Sequence, residues 1–246
     1  MKSFLTESGL VVSAVTTVQM REVDRVATAE VGPNLYQMME NAGRNLASLC
    51  VEMLGDGWTA APVVVLAGAG GNGGGGICAA RHLANHGGDV TLVVSDPTHL
   101  TGVPAEQFAL YRATGGRIVD ARTLETLRPS LTVDAVLGYS LTGAPHGVGA
   151  DLIEWMTSGS TPVLALDVPS GVDATTGDCP GAHVRATTTM TLALPKTGLD
   201  VDAVGQLWVA DIGIPRRVFE RSGVRPPPAT LFSEGYRMHL TTPATE

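Results

Sequence analysis

Three short segments combine residue types that can do chemistry. The first is Gly68-Ala69-Gly70-Gly71-Asn72-Gly73-Gly74-Gly75-Gly76, which follows the apolar run Val63 to Leu66 and leads straight into Ile77-Cys78-Ala79-Ala80-Arg81-His82-Leu83. A buried strand ending in a loop almost free of side chains, where a helix begins, leaves backbone N–H groups bare at a positive helix terminus. A phosphate can approach such a loop without displacing any Cβ. Gly68-x-Gly70-x-x-Gly73 fits the dinucleotide-binding spacing, and Asp96 closes the next apolar run, where a ribose-binding acid belongs. The same glycines would also serve a helix that packs tightly on its strand. Asn72 places one amide in the bare loop, offering oxygen to a cation or N–H to a ligand; an asparagine tolerating a tight left-handed turn is the plainer reading.

The second segment is Val133-Asp134-Ala135-Val136-Leu137-Gly138-Tyr139-Ser140-Leu141-Thr142-Gly143. An aspartate at a strand, followed by a flexible loop bearing hydroxyls, can hold a hard cation or ligand hydroxyls; it can equally be a turn acid that caps nearby backbone. The third is Leu164-Ala165-Leu166-Asp167-Val168-Pro169-Ser170-Gly171, in which an apolar strand delivers Asp167 to its carboxyl end. A partly dehydrated carboxylate there suits proton transfer, against the alternative of a solvated turn acid. Lys196, after Pro195, could meet a phosphate but reads as a solvated loop charge. His82 and His86, four apart on one predicted helix, read as surface or packing residues, with no Glu between them to complete a zinc-protease pattern.

The elements that must carry these residues follow an alternating rhythm. Helices are predicted over 19–30 and 34–54, with Met38, Met39, Ala42, Leu46, Leu49 and Met53 recurring at helical spacing. Strands are predicted over 63–66, 90–94, 118–119, 135–137, 163–166, 190–194 and 207–209, with helices over 73–85, 105–114, 124–127 and 149–157 between them. This pattern predicts an α/β fold with a mainly parallel sheet covered on both faces and a ligand crevice beyond the strands' carboxyl ends. One domain over residues 1–222 is expected, followed by an irregular tail over 223–246 that contains Pro226-Pro227-Pro228. The net charge of −8 offers no basic field for nucleic acid, so a small ligand is the expected partner. Cys50, Cys78 and Cys179 lack metal or disulfide spacing and read as reduced thiols. No signal peptide or membrane span is legible, so a cytoplasmic location is expected.

Gly70-Gly71-Asn72-Gly73-Gly74-Gly75-Gly76 resembles the GNNGGDG loop of the NAD(P)H-hydrate epimerase family, the YjeF N-terminal domain. Met39-Glu40-Asn41-Ala42-Gly43 resembles one of its opening helices, and Leu166-Asp167-Val168-Pro169-Ser170-Gly171 its DIPSG turn. Leu194-Pro195-Lys196-Thr197-Gly198 and Val209-Ala210-Asp211-Ile212-Gly213 extend the match, in order, from about Val15 to about Arg217. The resemblance implies a three-layer Rossmann-like fold with an N-terminal helical segment, a homodimer and a potassium ion. By motif position the potassium ligands would be Asn72, Asp134 and Ser170. Substrate contacts would come from Gly71, Asn72, Gly73, Gly74 and Gly75, from the loop Gly138, Tyr139, Ser140, Leu141, Thr142, Gly143 and Ala144, and from Asp167. The implied reaction inverts the hydroxyl-bearing carbon of hydrated NADH or NADPH, with Asp167 moving the proton.

Two positions depart from the family. Gly75 stands where the family has Asp, and Gly71 where it has the first Asn. Each removes a polar contact, and a missing charged hydrogen bond is worth roughly 1.5–3 kcal/mol. The chain is therefore expected to be an epimerase with an altered substrate or, alternatively, a non-catalytic or repurposed nucleotide-binding protein of the same fold. A nicotinamide-dependent oxidoreductase would share Gly68, Gly70, Gly73 and Asp96, but no Tyr-x-x-x-Lys pair accompanies them.

Overall fold

The structure is a computed structural model that describes residues 2–199 and 202–241. Its described residues form one ten-stranded sheet with helices packed on both faces. In chain order the strands are β1 Ser3–Thr6, β2 Val11–Ser13, β3 Val63–Ala67, β4 Val90–Val94, β5 Arg117–Val119, β6 Leu131–Ala135, β7 Val163–Leu166, β8 Thr188–Leu192, β9 Gln206–Ala210 and β10 Arg237–Thr241. The helices are α1 Thr17–Val26, α2 Leu35–Leu54, α3 Gly71–Asn85, α4 Gly102–Ala113, α5 Gly147–Ser158 and α6 Arg216–Arg221. The spatial order is β2-β1-β10-β9-β8-β7-β6-β3-β4-β5.

From β9 to β5 every neighbouring pair is parallel, as the βαβ rhythm predicts. The other edge is antiparallel: β10 pairs with β9 and β1, and β1 pairs with β2. This edge corrects the reading of 223–246 as an irregular tail, because residues 237–241 complete the sheet; residues 242–246 lie outside the described range. The aspartate-bearing strand also differs from expectation. It runs over Leu131–Ala135, upstream of the predicted 135–137, so Asp134 lies within a fully buried strand.

Two capping boxes fix the N-terminal helices. Thr16 and Gln19 close the start of α1, and Asn34 and Gln37 close the start of α2. Burial on β3 shows why the sheet needs cover on both sides. Val63, Val65 and Ala67 pack with Leu46, Leu49, Ile77 and Leu83 of α2 and α3, whereas Val64 and Leu66 pack with Leu152, Ile153 and Met156 of α5. Among the described residues, no helix is long and apolar enough to cross a membrane.

The chain crosses from β3 to β4 on one side and returns through β6 on the other, so the sheet's order reverses between β3 and β6. The loops after these two strands must diverge, and a crevice opens between them. The glycines make the crossing from β3 to α3 possible. A Cβ on Gly68 would lie 2.1 Å from the Val136 carbonyl oxygen, and one on Gly73 would lie 1.8 Å from the Gly68 carbonyl oxygen. Neither approach admits a side chain. Gly71, in contrast, has nothing within 4 Å of its Cβ position. Gly73→Ala is therefore expected to lower stability by about 1–3 kcal/mol or more through overpacking, and Gly71→Ala to leave it unchanged or raise it by up to about 1 kcal/mol. Denaturant unfolding of the two variants checks this, and equal midpoints would contradict it.

Candidate active site

The crevice opens into a cavity of about 700 Å³ bounded by the glycine loop, the loop after β6, and the ends of β7 and β8. Met20, Leu35, Met38 and Met39 form an apolar wall contributed by α1 and α2. At the opposite end the first turn of α3 begins at Gly70, whose carbonyl accepts from the Gly74 N–H. The N–H groups of Gly71 and Asn72 thus have no partner within the helix and sit at the positive end of its dipole. Both residues line the cavity, as does Gly75, while Gly73 and Gly74 do not. Of the predicted glycine contacts, Gly73 is spent on the close approach to Gly68, and a Cβ on Gly74 would meet the Met39 side chain at 2.6 Å. A Cβ on Gly75 would meet the tip of Leu166 at 2.8 Å, so the place of a side chain there is taken by the apolar floor of the cavity.

In the loop after β6, Gly138, Tyr139, Ser140, Leu141, Thr142 and Ala144 line the cavity; Gly143 instead turns the chain, at φ +74°. Asp96, the expected ribose acid, does not line the cavity. It caps the turn after β4, accepting from the Thr98 N–H at 3.0 Å and pairing with His99 at 2.7 Å.

Asp134 and Ser170 come together behind the cavity wall. Asp134 is fully buried; its Oδ2 accepts from the Ser170 N–H at 2.7 Å, and its Oδ1 accepts from Ser170 Oγ at 2.6 Å and from the Val136 N–H at 3.2 Å. Ser170 Oγ accepts from the Leu137 N–H at 2.8 Å, while Asn72 Nδ2 donates to the Leu137 carbonyl at 3.0 Å. Asn72, Leu137, Ser170 and Asp134 therefore form one network that ties the glycine loop to the turns after β6 and β7. None of the groups bonded to Asp134 carries a positive charge. Burial accordingly pushes its carboxyl up to about 6, against the pull of its hydrogen bonds.

Asp167 ends β7 with φ +68°, in the left-handed region, and Ala193 does the same one strand over at φ +62°. The left-handed turn costs a non-glycine residue energy, least for Asp and Asn. It lifts the Asp167 carboxylate off the sheet toward Lys196. Lys196 Nζ donates to Asp167 Oδ1, to Thr191 Oγ1 at 3.1 Å and to the Leu192 carbonyl at 2.9 Å. The Leu192 N–H also donates to Asp167 Oδ1, at 3.3 Å. Both side chains line the cavity, and among the described residues Asp167 Oδ2 has no protein partner. Lys196 is only 1% exposed, which corrects its reading as a solvated loop charge. The dehydrated carboxylate expected at Asp167 is present, but with an ammonium ion against it.

A second ionisable pair was not legible. Tyr139 Oη donates to Asp24 Oδ2, and the Lys196 ammonium lies 5.8 Å from the centre of the Tyr139 ring. Burial pushes the Asp24 carboxyl up, and burial together with the Asp24 charge pushes the Tyr139 phenol up. The available signal for Asp24 was its place four residues after Met20, beside the buried stripe of α1. For Lys196 it was its position just past the end of the strand next to the one bearing Asp167.

Comparisons with known proteins identify the family. Residues 35–198 match the family described as YjeF-related protein N-terminus. The chain is 50% identical over 241 residues to a protein of Dehalogenimonas lykanthroporepellens named NAD(P)H-hydrate epimerase, covering 97% of each chain. It is 38% identical over 217 residues to a protein of the same name from Truepera radiovictrix, covering 86% of this chain and 94% of that one. A bifunctional NAD(P)H-hydrate repair enzyme of Moorella thermoacetica is 34% identical over 218 residues, of which this chain spans 41%. The crystal structure of yeast ynu0, YNL200c, is similar in fold, with a TM-score of 0.79 and 20% identity over 94% of this chain and all of that one. The match over residues 35–198 and the identity to relatives along nearly the whole chain place it in the YjeF-related N-terminal family.

Proposed function

We propose that the crevice is the active site of an NAD(P)H-hydrate epimerase, and that Asp167 and Lys196 handle the proton. The observation that carries the reading is a buried carboxylate with one oxygen fixed by an ammonium group and the other facing a cavity at a helix N-terminus. In the hydrated nicotinamide ring the hydroxyl-bearing carbon is bonded to nitrogen, whose lone pair can expel the hydroxyl as water once a proton is supplied. That leaves a ring iminium, and water adding to the opposite face inverts the centre. In this reading the Lys196 ammonium supplies that proton through Asp167, whose Oδ2 passes it to the departing hydroxyl and takes it back after water adds. Lys196 holds Oδ1, orients the carboxylate and shares the proton. The free N–H groups of Gly71 and Asn72 suit the pyrophosphate, and the methionine wall suits the flat faces of the nucleotide. Gly75, with Leu166 against it, leaves this pocket less polar than the aspartate of the family pattern would.

The network beneath the cavity also fits potassium. Asn72, Asp134, Ser170 and the Leu137 carbonyl offer oxygens, and Asp134 holds a buried negative charge that no bonded group neutralises. Hard oxygen donors around one carboxylate are the donor set such a cation takes. A bound potassium ion would supply the missing countercharge and fix the three loops together. The homodimer and the cytoplasmic location belong to the same reading, and light scattering checks the first.

Asp167→Asn is expected to slow interconversion of separated hydrated NADH epimers by about 10²–10⁴-fold, the range for losing a positioned proton-transfer group, and to lower stability because Lys196 loses its countercharge, so the assay is run where circular dichroism shows the variant folded. Chromatography of the epimer ratio follows this; undiminished interconversion would remove Asp167 from the role. Wild-type protein no faster than a protein-free control would instead favour a non-catalytic nucleotide binder.

The Asp134 carboxyl gives a pH test. Its folded value, about 6, lies above the ordinary aspartate value of 3.8. Without potassium, stability from this group is therefore full below about pH 4 and is lost as pH rises through 6, a cost of roughly 3 kcal/mol. Potassium favours the ionised form, so its stabilising effect is expected to be large at pH 8 and to fade below pH 6. Thermal unfolding with potassium or with a bulky organic cation at pH 5 and pH 8 checks this, and equal potassium effects at both would contradict it.

A further inference from the structure

Away from the crevice, a second cluster lies where α2 packs on α3. Gly43 permits the contact, since a Cβ there would fall 2.4 Å from Cys78 Sγ. Cys78 and His82 lie four residues apart on one face of α3, and Glu40 of α2 faces them. One atom from each of the three residues lies within 4.8 Å of the others. Cys78 Sγ is 3.5 Å from Glu40 Oε2, and His82 Nε2 is 2.8 Å from Glu40 Oε1. In a tetrahedral site with metal–oxygen and metal–nitrogen distances near 2.0 Å and metal–sulfur near 2.3 Å, ligand atoms stand about 3.3–3.5 Å apart. The sulfur–oxygen edge already has that length, and the nitrogen–oxygen edge needs to open by about half an ångström.

The centre of the cluster is filled by the protein's own cation. Arg81 Nη2 lies 2.6 Å from both Glu40 oxygens, 3.2 Å from His82 Nε2 and 3.5 Å from Cys78 Sγ. A guanidinium nitrogen of this kind carries two hydrogens, and here it faces four acceptor-capable atoms. The bonding around it is mismatched in two further places. Arg81 Nε is a buried donor without an acceptor, and Gln107 Oε1 is a buried oxygen without a donor. Gln107 is fully buried, and its Nε2 donates to Glu40 Oε2 at 3.3 Å, so its amide reaches the same carboxylate. The Cys78 S–H also donates to Glu40 Oε2, so hydrogens of three residues converge on one carboxylate oxygen while a donor and an acceptor at the edge of the cluster go unused.

We propose that Glu40, Cys78 and His82 form a binding site for a divalent transition-metal ion of the zinc type, which Arg81 occupies until it swings aside. A thiolate, an imidazole and a carboxylate are the ligands such an ion takes, and the unpaired oxygen of Gln107 or a water completes four. The way in is short. His82 also lines a surface groove of about 480 Å³ with Arg44, Ser48, Trp58 and His86, and the Arg81 side chain is 15% exposed, close enough to solvent to leave. Occupation would clamp α2 to α3, the helix whose first turn forms the anion-binding end of the crevice. The ion would thus stiffen the frame of the site without touching substrate.

Cobalt(II) titration of the intact protein tests this, because a thiolate bound to cobalt absorbs in the near ultraviolet. One equivalent is expected to produce that band in the wild type. Cys78→Ala should abolish it, and Cys179→Ser, at the exposed thiol, should leave it unchanged. Arg81→Met removes the competing cation and is expected to tighten binding about ten- to hundredfold, the range for one charge-assisted hydrogen bond. If Arg81→Met does not fold, the wild type and Cys78→Ala decide alone. Absence of the band at millimolar cobalt, or a band that survives Cys78→Ala, would overturn the site.

Discussion

The crevice depends on a buried ion pair. Taking Lys196 and Asp167 out of water costs several kcal/mol per charge, and only close pairing with further hydrogen bonds offsets it. The surrounding structure supplies those bonds through Thr191 Oγ1 and the Leu192 backbone, and two successive strand ends adopt left-handed backbone to bring them into place. Because the bonds to the carboxylate converge on Oδ1, Oδ2 is left for the cavity. The pair thus does two things at once. It locks the turns after β7 and β8 together, and it aims one carboxylate oxygen at whatever the crevice holds.

A second network bounds the same space with opposite logic. Asp134 is also buried, but it is met by hydroxyl and amide hydrogens rather than by a cation. Where Lys196 makes the floor at Asp167 self-sufficient, the Asn72–Leu137–Ser170–Asp134 network ties the loops around it through a carboxylate with no bonded cation. Both networks sit at the reversal in strand order, where the chain has no choice but to open a gap.

Much of this was legible in the sequence, for physical reasons. The glycine loop could be read because bare backbone between an apolar strand and a helix serves either a tight crossing or an open helix end, and here it serves both; the parallel region could be read because strand and helix periods alternate along it. Asp134 and Asp167 stood out as acids set in apolar runs, and Ser170 through the resemblance of its turn to that of the family. What escaped depends on distant partners. Nothing local marks Lys196 as buried; that follows from Asp167, 29 residues earlier, facing it. The antiparallel edge is built from short strands at the two chain ends, and β10 follows a proline-rich stretch that reads as coil until β9 and β1 are there to pair with it. Asp96 was misplaced for the complementary reason. Its position in the motif was right, but Thr98 and His99 hold it in a local cap.

The most direct measurement is a crystal structure of the protein with hydrated NADPH or a stable nicotinamide nucleotide analogue, grown in potassium. The account predicts the pyrophosphate against the Gly71 and Asn72 amides, the hydroxyl-bearing ring carbon beside Asp167 Oδ2, and an ion among Asn72, Asp134 and Ser170. A nucleotide bound with its nicotinamide ring remote from Asp167, or one that leaves the crevice empty, would contradict it.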